Sequence, residues 1–287
     1  MRVIFVPVAD REECSYALHA AFDLGNTLDS NVIGCHIRPH SYSAVSLPSD
    51  IALQGMANSE AEWAANWQPR NEKRTCTAAR TLFQKVAEHY GYKVIRKPRS
   101  TPGAVWMEKT GSPNRVLGIT GPVSDLLVVS RPARQGGKLA RLFLLAALLR
   151  SARPVLMLPQ AWKRGVGKNI CIAWNQSREA AQAVAAAMPL LQIAASVTIV
   201  SSGKENRAGP NSAQLATYLK YWGVKSTRVS QRGHDEAKEI LQAVRETRAD
   251  LLVMGAYSRN RMSQLILGGV TDFMIRRAPI PVLMLHA

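Results

Sequence analysis

Glycines and a hydroxyl residue cluster after a short apolar segment near the end of the chain. The segment Asp250–Met254 is typical of a buried strand, and Gly255 follows it directly. Two more glycines, Gly268 and Gly269, come shortly before Thr271. A strand, a glycine turn and a helix in this order aim backbone N–H groups and a helix N-terminus at one small space, where phosphate binds well. The pattern predicts a phosphate site at this edge of a sheet.

Other combinations of reactive side chains are weaker. Cys35, His36 and His40 are close in sequence, but Cys35 and His36 alternate along a strand pattern, and no carboxylate cluster supports a metal site. Ser177 has no His and Asp in a nucleophile arrangement. The Gly-Lys pair at 167–168 fails as a Walker A loop because a strand, and not a helix, follows it. We therefore expect neither a metal site nor a catalytic residue.

Composition places the chain among globular proteins. Its 287 residues, 47% hydrophobic and 20% charged, suffice for one large domain or two of average size. The formal net charge of +17 would attract anionic nucleotides, nucleic acid or anionic surfaces. The basic residues are spread through both halves, without the aromatic patterns of RNA-binding modules. A generally basic surface is the favoured interpretation, and a nucleic-acid partner is the alternative.

Neither a secretory signal nor a membrane span is predicted. The start of the chain has a short apolar segment without a small-residue cleavage site. The longest apolar run, Leu142–Leu149, is far too short to cross a bilayer. The cysteines form no Cys-x-x-Cys pair; they are Cys14, Cys35, Cys76 and Cys171. These features predict a cytoplasmic protein with reduced thiols and no membrane contact.

Strand and helix patterns alternate through the first half. Strands are predicted at Val3–Val8, Asn31–Ile37, Val94–Ile95, Leu126–Ser130 and Pro154–Leu158. Helices are predicted at Glu12–Leu28, around Leu82, Val86 and Tyr90, and at Leu139–Leu149. The segment from Pro102 to Thr120 favours neither state.

The same order recurs in the second half. Strands are predicted at Ile170–Trp174, Val197–Ser201 and Lys225–Val229, and helices at Glu179–Leu191, Leu215–Tyr221 and after the capping residue Asp235. Two phrases are repeated almost letter for letter. Ser-Asp-Leu-Leu-Val-Val at 124–129 returns as Ala-Asp-Leu-Leu-Val-Met at 249–254, and Pro-Val-Leu-Met-Leu at 154–158 returns at 281–285. The repetition indicates a duplicated α/β unit.

The repeat predicts two domains, at 1–160 and 169–287, joined by a linker at 161–168 that is rich in Gly and charge. The first domain carries an insertion at about 38–70. Each domain is expected to be α/β, with a doubly wound, mainly parallel five-stranded sheet. In such sheets ligands bind beyond the strand C-termini, at the topological switch point.

The chain resembles a tandem universal stress protein, with two such domains over nearly its whole length. In that family the first strand ends in Val-Asp-x-Ser, and nucleotide-binding members carry Gly-x-x-Gly, nine residues, then Gly-Ser or Gly-Thr. The second copy is similar: it reads Ala-Trp-Asn-Gln-Ser at 173–177, and Gly-Ala-Tyr-Ser at 255–258, nine residues, then Gly-Gly-Val-Thr at 268–271. The resemblance implies the adenine nucleotide alpha hydrolase-like fold.

The resemblance also implies an ATP site in the second domain. Its residues would be Ala173, Trp174, Asn175, Ser177, Met254, Gly255, Ser258, Arg259, Gly268, Gly269, Val270 and Thr271. Three of them depart from the family: Asn175 replaces Asp, Ser258 replaces Gly, and Gly269 replaces Ser or Thr. Serine tolerates positive φ less well than glycine, and a missing hydroxyl removes one phosphate hydrogen bond. Arg259 offers a compensating charge, and an empty or altered pocket is the alternative.

The first copy departs further from the family. Pro132 removes a backbone N–H that a phosphate loop would use, and Glu12 stands where the motif has Ser and would repel an anion. We therefore expect no nucleotide in the first domain.

The resemblance implies a regulatory role in the stress response, exerted through conformation or an unknown protein partner. It also implies pairing through the last strands, Val155–Leu158 and Val282–Leu285, within the chain and in a homodimer. One alternative is an ATP-using enzyme, a weak ATPase or an adenylyl transferase, which would need Asp272 as its carboxylate. Another is a basic adaptor for nucleic acid or an acidic protein.

Overall fold

The computed structural model describes residues 1–39, 60–62, 64–65, 69–97, 99–133, 137–202, 205–206, 208–231, 235–256 and 269–286. Two compact units separate within this part of the chain: Met1–Lys163, and a second that begins at Arg164. Each alternates strands and helices, which confirms the predicted α/β class. Most of the predicted insertion at 38–70, with His40, lies outside the described residues.

The described part of the first unit has five strands. They are β1 Val3–Pro7, β2 Asn31–Arg38, β3 Ala104–Thr110, β4 Leu126–Ser130 and β5 Val155–Leu158. Its helices are α1 Glu12–Leu28, α2 Pro69–His89, α3 Pro113–Thr120 and α4 Lys138–Arg150, with a 3-10 turn at Gly121–Val123. All strand pairs are parallel, in the order β3-β2-β1-β4-β5. The switch point lies between β1 and β4, where Phe5 stands opposite Leu127.

The second unit repeats this plan. Its described strands are β6 Asn169–Ala173, β7 Ser196–Ser202, β8 Thr227–Gln231, β9 Leu251–Gly255 and β10 Val282–Leu285. Its helices are α5 Arg178–Leu191, α6 Ser212–Tyr221, α7 Glu236–Glu246 and α8 Gly269–Arg277. The strands are again parallel, in the order β8-β7-β6-β9-β10. The switch point lies between β6 and β9, where Ile172 stands opposite Val253.

The repeated Asp-Leu-Leu sequence has the same structural role in both sheets. Asp125 accepts hydrogen bonds from the backbone nitrogens of Arg2 and Val3, at 2.6 and 3.0 Å. Asp250 accepts from those of Gly167 and Asn169, at 2.8 and 3.2 Å. Each carboxylate therefore fixes the start of the central strand of its sheet, while the leucines that follow it are fully buried.

The strand predicted at Val94–Ile95 is wrong. Val94 forms only an isolated bridge with Ala104, and the strand beside β2 is β3. The segment that favoured neither state thus contains both β3 and α3, whose N-cap Ser112 accepts from the backbone nitrogen of Arg115 at 3.3 Å. The last residues of β3 are exposed, so its apolar pattern is too short to identify it in the sequence.

Among the described residues, no helix has both the length and the apolar character needed to span a membrane.

Candidate functional site

The carboxyl ends of β6 and β9 lie side by side in the second unit. The pairing of Ile172 with Val253 brings Ala173 next to Met254, and both of these side chains are buried. The chain leaves the sheet after each strand, at Trp174 and Gly255. The two segments that the sequence singled out are therefore neighbours at the switch point, where parallel sheets bind ligands.

The loop after β6 is organised by the start of α5. Asn175 is exposed, and its side-chain oxygen accepts from the backbone nitrogen of Ser177 at 3.2 Å. The Ser177 hydroxyl in turn accepts from the backbone nitrogen of Ala180 at 3.1 Å, as an N-cap does. The side chains of Asn175 and Ser177 therefore stabilise the N-terminus of α5 through their own hydrogen bonds.

Trp174 and Gln176 hold the loop that precedes α6. The Trp174 indole N–H donates to the carbonyl of Pro210 at 2.8 Å, and the Gln176 amide donates to that of Gly209 at 2.9 Å. Gln176 adopts a left-handed φ of 61°, which is uncommon for a residue with a side chain. A Cβ on Gly209 would lie 2.2 Å from the Gln176 carbonyl oxygen, so the two loops touch backbone to backbone. The Trp174 and Gln176 side chains are buried, so they hold the two loops together rather than lie open to a ligand.

Gly255 packs directly on the first turn of α5. A Cβ there would lie 2.6 Å from the backbone nitrogen of Ala180 and 2.8 Å from the carbonyl carbon of Glu179. No side chain fits at that distance, so glycine is required for packing alone.

Helix α8 begins at Gly269, which is exposed and has a φ of 24°. Val270 is half-buried, and Thr271 is buried, with 7% of its surface exposed. The Asp272 carboxylate lies 2.5 Å from the guanidinium of Arg276, one turn further along the helix. The exposed part of this terminus is therefore the backbone at Gly269, since the Thr271 side chain faces inward.

The predicted site residues that the structure describes fall into two groups. The structure brings six of them together at the ends of β6 and β9, namely Ala173, Trp174, Asn175, Ser177, Met254 and Gly255, and places Gly269, Val270 and Thr271 at the start of α8. Ser258, Arg259 and Gly268 lie outside the described residues.

Residues 172–286 match the family model of the universal stress protein family. The second unit carries a domain of this family. The matched segment starts inside β6 and includes both parts of the switch-point site.

Solved structures extend the likeness of fold to the whole chain. A universal stress protein from Archaeoglobus fulgidus DSM 4304 is 16% identical, with a TM-score of 0.68 over 99% of this chain and 98% of that chain. A candidate universal stress protein from Pseudomonas aeruginosa UCBPP-PA14 is also 16% identical, with a TM-score of 0.61 over 100% of this chain and 93% of its own. At this identity the likeness shows the fold alone.

One universal stress protein solved in complex with cAMP is 21% identical over 42% of this chain and 97% of its own. Its TM-score of 0.34 is too low to carry an inference about ligands of the present chain. A comparison with curated protein sequences gives no significant match.

The first unit has a cavity at its own switch point, between β1 and β4. The cavity measures about 240 Å³ and lies at the carboxyl ends of β1, β2 and β4, against helices α2 and α4. Its walls are largely apolar and include Val8, Ile37, Val129, Leu139 and Phe143. The first unit therefore keeps a concave site where the sequence predicts no nucleotide.

Sequence analysis missed two polar residues of this cavity. The His36 ring contacts the carbonyl oxygen of Val8 at 3.0 Å and a carboxylate oxygen of Glu72 at 3.1 Å. The sequence suggests His36 only as a metal ligand beside Cys35. The described residues contain no group of three or more His, Cys, Asp or Glu side chains suited to a metal. Glu72 follows the long insertion, so only its place on α2 brings it to the sheet edge. The one available signal was the position of His36 at the end of a strand.

Burial changes the pKa of Cys14, another residue of the cavity wall. Burial raises the pKa of Cys14 to about 11, while the backbone of Ala9 acts in the opposite direction. The thiol is therefore protonated at neutral pH and contributes apolar wall rather than a nucleophile.

Proposed function

We propose that this chain is a universal stress protein with a regulatory role, and that its second unit binds ATP at the carboxyl ends of β6 and β9. The observation that carries the proposal is the pairing of these two strands, which places the Asn175–Ser177 loop beside Gly255. Both segments belong to the motif that the family uses for nucleotide. The proposed action is conformational signalling to a partner rather than chemistry on the nucleotide.

The described residues fit a phosphate group at two helix N-termini. Helix α5 begins with the exposed Arg178, and α8 begins with the exposed Gly269. The positive end of a helix dipole and free backbone N–H groups favour a phosphate, and a guanidinium beside them adds a charge-assisted hydrogen bond. ATP would supply the phosphates, and Arg178 would orient them.

The enzyme alternative is less well supported. It needs a carboxylate near the phosphates, and the one that the sequence offers directly after Thr271 is Asp272. That side chain is only 13% exposed and is paired with Arg276 at 2.5 Å. A buried carboxylate in an ion pair is poorly suited to act as a base, because protonation would break the pair that stabilises the helix.

The adaptor alternative rests on the net charge of +17. It predicts binding of nucleic acid that falls steeply with added salt. ATP binding to one unit predicts a single saturable site with a weaker salt dependence, so the two can be separated by the same titration at two salt concentrations.

Isothermal titration of ATP into the full-length chain tests the proposal. We expect micromolar binding by the wild type and a loss of about tenfold or more in Arg178→Glu, because the new carboxylate repels phosphate. A glutamate in the first turn suits the helix dipole, so this variant should fold. Absence of binding by the wild type up to millimolar ATP would overturn the proposal.

Arg228→Glu is the matched control. Arg228 is an exposed residue of β8, separated from β6 by β7, and the substitution makes the same charge change. Equal weakening in both variants would mean that ATP responds to overall charge rather than to the proposed site.

A further inference from the structure

We propose that the first unit binds a small organic cation with an apolar ring body, in the cavity at the ends of β1, β2 and β4. This inference concerns a different unit from the proposed ATP site and does not depend on it. The argument rests on the size of the cavity, the chemistry of its walls and the charges around it.

The cavity is built from elements far apart in sequence and fixed by their own contacts. The Ser130 hydroxyl, at the end of β4, donates to the carbonyl of Glu13 at 2.7 Å, at the start of α1. The His36 ring joins Val8 to Glu72 and so ties the ends of β1 and β2 to α2. Thr75, another wall residue, donates from its hydroxyl to the Glu72 carbonyl at 3.0 Å. The walls are thus preformed, as in most small-molecule sites.

Size limits the ligand to one or two rings. The volume of about 240 Å³ exceeds the roughly 150 Å³ of an apolar cavity that holds benzene. It is smaller than the roughly 300–1,000 Å³ of sites for drug-sized ligands. The apolar walls, with Phe143 among them, favour a hydrocarbon or aromatic body.

Charge selects the sign of the ligand. The carboxylates of Asp10, Glu13 and Glu72 line the cavity, against the guanidinium of Arg11 and the imidazole of His36. Arg11 lies 3.6 Å from Glu13, and His36 lies 3.1 Å from Glu72. Asp10 is exposed and makes no hydrogen bond or ion pair with the residues that the structure describes. The local excess is therefore negative in a chain of net charge +17, so an ammonium is attracted and a phosphate is repelled.

The contact of His36 with Glu72 indicates that these side chains form part of the cavity wall rather than a metal site. The two ring nitrogens lie 3.0 and 3.1 Å from a carbonyl oxygen and a carboxylate oxygen, so oxygens of the protein already occupy both sides of the ring. The pair is also deeply placed, with 8% and 11% of the two side chains exposed. Asp10 is left as the group that meets the cation of the ligand.

The test uses the full-length chain and three naphthalene probes of different charge: naphthylmethylamine, naphthylmethanol and naphthoate. Saturation-transfer NMR detects binding, and isothermal titration measures it. We expect the amine to bind about tenfold or more tightly than naphthoate, with the alcohol between them. Equal affinity for the amine and naphthoate, or no binding of the amine, would overturn the proposal.

Two variants locate the site. Asp10→Asn should weaken the amine several-fold and leave the alcohol unchanged, because only the charge is removed. Ala140→Trp should abolish binding of both, because Ala140 lines the cavity and a large ring fills it. Asp10 is exposed, so its variant remains informative if Ala140→Trp fails to fold.

Glu88→Gln is the matched control for the loss of one charge. Glu88 is exposed on α2, 16 residues from Glu72 and thus about 24 Å along the helix. The amine should bind this variant as it binds the wild type. A loss equal to that in Asp10→Asn would show that the amine responds to the net charge of the protein and would contradict the assigned site.

Discussion

Gly255 packs against Ala180 at a distance that no other residue permits. A Cβ on Gly255 would lie 2.6 Å from the Ala180 backbone nitrogen, closer than such atoms approach. The end of β9 therefore rests on the first turn of α5 through bare backbone. The first glycine of the nucleotide motif has this packing role whether or not a ligand is bound, and a substitution there tests folding before it tests binding.

We predict that Gly255→Ala destabilises the second unit by about 1–3 kcal/mol, because backbone atoms of α5 must shift to admit the methyl group. Urea unfolding followed by circular dichroism measures the change. Gly118→Ala is the control: Gly118 lies in α3, its Cβ would meet nothing closer than 3.8 Å, and alanine is the better helix former. Unchanged stability in Gly255→Ala would contradict the packing role.

Ser177→Ala should cost about 1 kcal/mol, because the backbone nitrogen of Ala180 loses its capping acceptor. Ser177→Asp supplies another acceptor at the N-cap and should restore most of that stability. The same unfolding measurement applies. If the alanine and aspartate variants were equally stable, the hydroxyl would have no capping role.

The repeated aspartates should matter equally in both units. Asp125→Ala and Asp250→Ala each leave two backbone nitrogens without their carboxylate, and we expect a loss of about 1–3 kcal/mol in each case. Arg2→Ala is the comparison, since the Arg2 side chain forms an ion pair with Asp29 in which both side chains are 66% exposed. Such exposed pairs contribute little, so this variant should keep nearly wild-type stability.

Asn175→Asp should strengthen ATP binding several-fold if the proposed site is correct. A carboxylate accepts hydrogen bonds from the hydroxyl and amino groups of a nucleoside more strongly than an amide does, and it restores the family residue. Isothermal titration gives the affinity. Asn211→Asp is the control, because it makes the same change at the N-cap of α6, where aspartate also caps well. Weaker binding by Asn175→Asp would place ATP elsewhere or with another orientation.

Alkaline pH should weaken the fold through its buried thiols. Burial raises the pKa of Cys171 from 9.0 to about 12. A thiol with a higher pKa in the folded state binds its proton more tightly there, so its contribution is complete below pH 9 and is lost as the pH rises towards 12. The urea concentration at the midpoint of unfolding should therefore decrease as the pH is raised above 9. The decrease should be smaller in Cys171→Ala. Parallel pH curves for the two proteins would refute this origin.

The periodic and repeated parts of the sequence predicted most elements well. The strands β4, β5, β9 and β10 follow from the two repeated sequences, whose leucines are buried in both sheets except for the half-buried Leu285. The sequence predicts that Asp235 caps a helix, and its side chain does accept from the backbone nitrogen of Lys238 at 3.2 Å. Strand β3 was missed because Glu108, Lys109 and Thr110 give its outer half the polarity of a loop.

The sequence by itself determined the duplicated α/β plan, the family of the second unit and the edge of the sheet where its ligand site belongs. Those conclusions depend on local periodicity and on residues repeated at fixed spacing, and both can be recognised in the sequence without a structure. Only the tertiary structure decided that Gly255 packs on Ala180 and that Trp174 is buried under a loop. It also joined His36 to Glu72, 36 residues apart, in the cavity of the first unit. The physical reason is that packing distances and cavity walls arise between elements that are distant in the chain, and spacing along one element does not record them.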